Sequence, residues 1–239
     1  MTLTVTPAGQ VVRAVIWGEP VYFTITNPRD SIQKIHHQGQ FYEPEELEII
    51  RKYCPPGAVF ADIGANIGNH SLFALKYLRV AKVICFEPNP AAISILHSNL
   101  GLNGVLDRCD LRHLGVGLSD EASSGFGIVA TRRNLGGGQM VADGGELTVA
   151  RGDDLLADEP VSFIKIDVEG METRVLAGLS AVIAARHPTI FVEVDNTNRA
   201  AFLDWVAAQG YEVRARYRRY KTNENFLITP KSPRRGAEA

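Results

Sequence analysis

From Val59 onward the apolar residues fall in short unbroken runs set between stretches of helical spacing, whereas before Val59 the pattern is mixed. Val11, Val12, Val15 and Ile16 lead into the turn signal Gly18-Glu19-Pro20, and Val21, Phe23 and Ile25 then alternate with Tyr22, Thr24 and Thr26. Alternation of this kind predicts a half-buried hairpin. Ser31 to His37 reads as a short helix. Glu43 to Tyr53 reads as a firmer one, with Pro44 in its first turn and Leu47, Ile50 and Cys54 at helical spacing. Residues 1–42 are expected to form a small N-terminal β/α appendage that packs on the core or covers its site.

Beyond Pro55-Pro56-Gly57, strands and helices alternate as they do in parallel sheets covered on both faces. Strands are expected at 58–63, 82–87, about 110–118, 161–167 and 189–195. Helices are expected at about 68–78, from Pro90, at about 171–186 and at about 199–209. Tyr211–Tyr220 and Asn225–Thr229 predict a closing antiparallel hairpin. The glycine-rich stretch 119–150 reads as an insertion and 230–239 as a disordered tail, leaving 43–229 as the main domain. The expected class is α/β: a seven-stranded, mostly parallel, Rossmann-like sheet with an antiparallel C-terminal hairpin.

Composition narrows the function classes. A net charge of -2 gives no global basic field for nucleic acid or acidic membranes. Three cysteines at no metal-ligand spacing, no signal-like N-terminus and no apolar run of spanning length lead to the expectation of a cytoplasmic protein with no membrane span.

Two strand ends carry the chemical signal. Asp62-Ile63-Gly64-Ala65-Asn66-Ile67-Gly68 is a strand–turn–helix with bare backbone and one carboxylate, at the edge where open α/β sheets bind ligands. Phe86-Glu87-Pro88 puts a second acid at the next strand tip, where it can accept from both hydroxyls of a ribose. A nicotinamide dinucleotide calls for G-x-G-x-x-G, but Asn66 stands where the second glycine belongs. Asp62 suits a cationic amino-acid end better than a pyrophosphate. These residues favour S-adenosyl-L-methionine over NAD. A nicotinamide-dependent oxidoreductase and a non-catalytic adenosine-binding module are the alternatives.

The chain resembles the FkbM family of S-adenosylmethionine-dependent methyltransferases. The stretches that carry the resemblance are the Asp62–Gly68 turn, Phe86-Glu87-Pro88-Asn89-Pro90, Asn99 with Asn103, Gly115–Asp120, Leu155 after Asp153-Asp154, Lys165–Glu172 with Leu176 and Gly178, and Pro188–Glu193. They span roughly residues 40–195, and one departure is Gly152, where the family commonly has Leu. The resemblance implies a class I methyltransferase fold and O-methylation of a hydroxyl on a sugar or natural-product acceptor. It also puts Gly64, Asn66, Gly68, Glu87, Pro88, Gly117 and Asp167 with Asp62 around the cofactor.

Lys165-Ile166-Asp167-Val168-Glu169-Gly170 is the second constellation. Strand alternation points Lys165 and Asp167 the same way, and a lysine in a central strand calls for a carboxylate partner. Asp167 either orients or deprotonates the acceptor with Lys165 tuning its charge, or the two form an ion pair that only fixes the turn. Glu169 and Glu172 are further candidates for substrate contact, Glu172 equally for a helix cap. Asp167 with Asp195 and Asn196 resembles the Mg²⁺ site of catechol-type O-methyltransferases. An Asx turn capping the next helix is the preferred reading of Asp195-Asn196. Glu193, and Asn134 ahead of three glycines, are candidate substrate contacts, and His70 a candidate catalytic group. Arg214, Arg216 and Arg218, with Arg132-Arg133, read first as a solvated edge and second as a phosphate patch. The expected partner is a small-molecule or glycan acceptor, not nucleic acid.

Overall fold

A computed structural model describes residues 9–131, 134–141 and 144–231; the side chains of 130, 131, 134–137, 139 and 140 are outside that description. The chain starts with a hairpin, β1 (Gln10–Ile16) and β2 (Glu19–Ile25), turned by Trp17 and Gly18, both at positive φ. Helices α1 (Ser31–His37) and α2 (Pro44–Tyr53) follow. Asp30 caps α1 by accepting from the backbone N–H groups of Ile32 and Gln33.

The apolar runs then become β3 (Val59–Ile63), β4 (Lys82–Phe86), β5 (Cys109–Asp110), β10 (Val161–Ile166) and β11 (Thr189–Asp195). With β12 (Tyr211–Tyr217) and β13 (Asn223–Pro230) they form a seven-stranded sheet in the order β12-β13-β11-β10-β3-β4-β5. The pairs from β11 to β5 are parallel and those to β13 antiparallel. Helices α3 (Asn69–Tyr77), α4 (Pro90–Leu102), α5 (Gly152–Leu156), α6 (Glu172–Gly178), α7 (Ser180–Arg186) and α8 (Arg199–Ala208) cover its faces. The fold is the Rossmann-like class expected.

Strand alternation splits the core by face. Phe60, Val83, Cys85, Phe163 and Phe191 pack on one side with residues of α2, α3, α4 and β2; Ile63, Ile84, Phe86, Ile164, Ile166 and Val192 pack on the other with α6, α7 and α8. By the same parity Asp62, Lys165, Asp167 and Glu193 belong to the first face, where α2 and α3 lie. The N-terminal hairpin joins that face: Val21, Phe23 and Ile25 are buried in its core. Asn99 of α4 and Asn103 at its C-terminal cap pair with the backbone of β2, accepting from Thr24 N and Tyr22 N respectively, and Asn99 also donates to Ile67 O. A polar motif thus satisfies the outer edge of a strand.

Two element expectations are corrected. The strand expected at 110–118 is only β5; Asp110 turns to Lys82 and Arg112, Gly115 takes a left-handed φ of 90°, and the chain leaves the sheet. It then forms β6 (Val116–Ser119), which joins β7 (Ser123–Thr131), β8 (Asn134–Val141) and β9 (Leu147–Arg151) in a separate four-stranded sheet of order β6-β9-β7-β8. The helix expected over 171–186 breaks at Leu179 into α6 and α7. Gly178 sits so close to the carbonyl of Ser119 that a side chain would clash, which anchors this break against the second sheet.

Candidate active site

The turn after β3 is shaped by two positive-φ residues. Gly64 has φ 77°, and a Cβ there would collide with the carbonyl oxygen of Asp167. Asn66 has φ 49°, a conformation Asn tolerates better than most residues. Gly68, at φ 82°, starts α3 and packs on Leu96 rather than on a cavity. The turn hangs from β4: Gly64 N and Ala65 N donate to Phe86 O, and Asn66 N donates to Glu87 Oε2 at 2.7 Å. Glu87 Oε1 accepts from Asn89 N at 2.8 Å. Burial pushes the Glu87 carboxyl up to about 7, against the pull of those two N–H groups.

Beneath the turn lies a buried ion cluster. Lys165 is cross-strand neighbour to Asp62. Its Nζ donates to Gly64 O at 2.8 Å and lies 3.3 Å from Asp62 Oδ1 and 3.6 Å from Asp167 Oδ2. Burial alone would lower the Lys165 pKa; Asp62 first, then Asp167 and Glu43, reverse that and hold the ammonium above its ordinary value. Asp62 is fully buried and also accepts from Ser71 Oγ at 2.6 Å. It lines neither of the cavities described next and meets only the second, through Lys165.

Two cavities open at the carboxyl edge of the sheet. The first is lined by Ile63, Phe86, Glu87, Pro88, Asn89, Val116, Gly117, Leu118, Val168 and Met171, with Ile128 and Gly138 of the second sheet. The second, about 370 Å³, is lined by Ser31, Ile32, Tyr42, Glu43, Asn69, His70, Lys165, Glu193, Tyr220, Thr222 and Asn223. Gly64, Asn66, Asp167 and Glu169 line both and form the wall between them. The first has the features an adenosine ligand needs, a strand-tip carboxylate beside an apolar slot, and on the shared wall the Asn66 Oδ1 is buried with no hydrogen-bond partner among the described residues.

The second cavity is acidic. Burial, then Asp167 and Glu46, push Glu43 up to about 8; burial, then Asp167, Glu43 and Glu169, push Glu193 up to about 9. His70 is pushed down to about 3 by burial and then by Lys165, so its ring is neutral. Sequence reasoning missed Glu43, Tyr42 and Tyr220. Glu43 holds a left-handed φ of 59° just ahead of α2. Such a φ in a non-glycine residue marks a constrained position, but nothing in the sequence alone displays it.

Other candidates fall elsewhere. Asp195 Oδ1 accepts from Thr197 N and Oγ1, which is the Asx turn expected, but among the described residues no side chain caps α8, and Asn196 donates instead to Lys221 O in the turn between β12 and β13. Glu172 is buried and neither caps a helix nor lines a cavity; its Oε1 accepts from Asp195 N and from Asn198 Nδ2, tying α6 to the end of β11. Arg214 and Arg218 pair with Glu212 and Glu224, and Arg216 lies over Phe226. Asn134 opens β8 by its backbone, its side chain being outside the described residues, as are Arg132-Arg133.

Comparisons with known proteins bear on this architecture. The family described as "Methyltransferase FkbM domain" matches residues 62–213. The chain is 32% identical over 181 residues to 31-O-demethyl-FK506 methyltransferase FkbM of Streptomyces tacrolimicus, covering 61% of this chain and 68% of that protein. It is 39% identical over 92 residues to the tRNA wybutosine-synthesizing protein 2 homolog of Bos taurus, 38% of this chain and only 20% of that one. A solved structure of a putative tRNA (m1A22) methyltransferase of Streptococcus pneumoniae with S-adenosyl-L-methionine superposes with TM-score 0.53 at 15% identity, covering 81% of this chain and 75% of that chain. The match of the family over most of the chain, together with the 32% identity to an FkbM protein, places this protein in the FkbM methyltransferase family.

Proposed function

We propose that the first cavity binds S-adenosyl-L-methionine and the second a small polar acceptor, whose hydroxyl receives the methyl group across the wall of Gly64, Asn66, Asp167 and Glu169. The observation that carries this is the shared wall itself: two cavities of different character meet on four residues at the sheet's ligand-binding edge. Glu87 accepts from the ribose hydroxyls, and the Phe86, Leu118 and Met171 side chains hold the adenine. When bound, the cofactor supplies a methyl group already activated by the sulfonium charge. The protein's own contribution is orientation and exclusion of water. Asp167, kept beside the Lys165 ammonium, accepts the hydrogen bond of the acceptor hydroxyl and aims its oxygen at the wall. Tyr42 and Tyr220, joined by their hydroxyls, close the outer side of the acceptor cavity. A cavity of about 370 Å³ suits a sugar or a functional group of a natural product.

Incubation with methyl-labelled cofactor and separate sugar, natural-product and tRNA pools tests this. Label in a hydroxyl of a small acceptor is expected, with Asp167→Asn losing transfer while still binding S-adenosylhomocysteine. Label found only in tRNA would overturn the acceptor reading, and stabilisation by NADH in place of S-adenosylhomocysteine would overturn the cofactor reading.

A further inference from the structure

Three carboxylates converge inside the second cavity. Asp167 and Glu169 follow β10 and Glu193 lies in β11, and each offers an oxygen within 4.8 Å of those of the other two. Asp167 and Glu193 share a sheet face by strand alternation, and Glu169 joins them from the turn beyond β10, at φ 49°. Glu43 adds a fourth carboxylate to the same wall. One ammonium faces them, and it is already engaged: Lys165 is held by Gly64 O, Asp62 and Asp167. Among the described residues no lysine or arginine forms an ion pair with Glu169, Glu193 or Glu43. A second and independent feature lies on the wall of the same cavity. His70 is 7% exposed, and its Nε2 has no hydrogen-bond partner among the described residues. Glu43 Oε2 lies 4.0 Å from it, beyond hydrogen-bond reach, and buried polar atoms are seldom left unpaired, so this nitrogen has room for a bridging partner.

We propose that Asp167, Glu169 and Glu193 bind a hard divalent cation, Mg²⁺ or Mn²⁺, in the acceptor cavity. An all-oxygen donor set selects such ions over zinc or copper. Two positive charges offset the surplus of carboxylates that Lys165 leaves, and the water or hydroxyl groups gathered by the ion give His70 Nε2 a partner. The set differs from Asp167 with Asp195 and Asn196, because Asp195 is committed to its own turn and Asn196 to Lys221 O. An ion here would bind the acceptor oxygen and lower its pKa beside the methyl donor. That use of the ion rests on the methyl-transfer reading; the binding of the ion does not.

Titration of the full chain with Mn²⁺ alone, followed by electron paramagnetic resonance and calorimetry without any methyl donor, tests the site. The expected result is one saturable Mn²⁺ per chain, displaced by Mg²⁺. Glu193→Gln and Glu169→Gln should each weaken binding at least tenfold, while Glu212→Gln, in an exposed pair on β12, leaves it unchanged. Circular dichroism melts identify any variant that fails to fold, and the two ligand variants lie on different segments, so either can decide. Absence of saturable Mn²⁺ binding to the native chain, or native affinity in a folded Glu193→Gln or Glu169→Gln, would overturn the proposal. Loss of methyl transfer with Mn²⁺ binding intact would instead count against the reaction alone.

Discussion

Two residues show how much of the site rests on single atoms. Gly64 and Gly57 both have left-handed backbones, at φ 77° and 75°, yet only Gly64 has a neighbour where a Cβ would go. Gly57→Ala should therefore cost only the backbone strain, about 1–2 kcal/mol. Gly64→Ala should cost clearly more, because the Asp167 carbonyl must move as well. Urea unfolding of the two variants measures the difference, and equal losses would refute the close approach. Lys165 supplies a second contrast. Replacing it with Met strands the fully buried Asp62 without its counter-charge, a loss of about 3–5 kcal/mol. Adding Asp62→Asn to that variant should recover part of the loss, since the stranded charge goes with it. At this scale the sequence pointed to residues that the structure gathers at one edge of the sheet, and said less about their partners. The Lys165–Asp167 pairing followed from strand alternation; the closer Asp62 contact needed the β3–β10 register, which no local pattern encodes.

Among the elements, the segment between β2 and α2 is tied to α3 by the Asn69 side chain. Asn69, at the start of α3, accepts from Tyr42 N, donates to Tyr42 O and lies 2.9 Å from His36 Nε2 through its Oδ1. Burial pushes His36 down to about 4, while an unfolded histidine titrates near 6.5. Its folded pKa is thus depressed, so stability is full above pH 6.5 and is lost as pH falls towards 4. Between pH 7.5 and 5 the loss from this group is about 2 kcal/mol. The raised Glu43 and Glu193 of the second cavity act in the opposite sense, so the test is a difference. A His36→Gln variant should lose about 2 kcal/mol less than the native chain over that interval in denaturant titrations; parallel pH profiles would refute it. A second device strapping elements together is Arg219. It forks onto Glu46, which is 1% exposed, and reaches Glu45, fixing the β12–β13 turn that carries Tyr220 to the start of α2. Arg219→Ala should raise the acceptor KM roughly tenfold with little change in cofactor affinity, as expected for a group that shapes one cavity only. The hairpin and helices themselves were legible from hydrophobic period. The strap was not, because its partners are about 170 positions apart in sequence.

For the whole molecule, the alternation of apolar runs and helical stretches was enough to predict a parallel sheet, since strands buried on both faces have few other sequences open to them. It failed where the chain leaves the sheet. Residues 110–118 have strand-like composition, but Asp110 is claimed by Lys82 and Arg112 and Gly115 turns the backbone away, so β6 builds the second sheet instead. That departure is what brings Val116, Gly117, Leu118 and Ile128 over the first cavity. The first cavity is local only in part: two strand tips and their turns form one side, and residues 116–118, 128, 138 and 167–171 complete it. The second is more scattered: it gathers residues 31–32, 42–43, 64–66, 69–70, 165–169, 193 and 220–223. The two strand tips were legible because each is local in sequence, and the second cavity had to be seen in the structure.

If the first cavity takes the methyl donor and the second the acceptor, a crystal structure with S-adenosylhomocysteine will show it. Ribose hydroxyls are expected on Glu87, with the sulfur at the wall of Gly64 and Asp167, directed towards the cavity of His70 and Glu193. A ligand lodged in that second cavity, or a sulfur facing away from the wall, would contradict it.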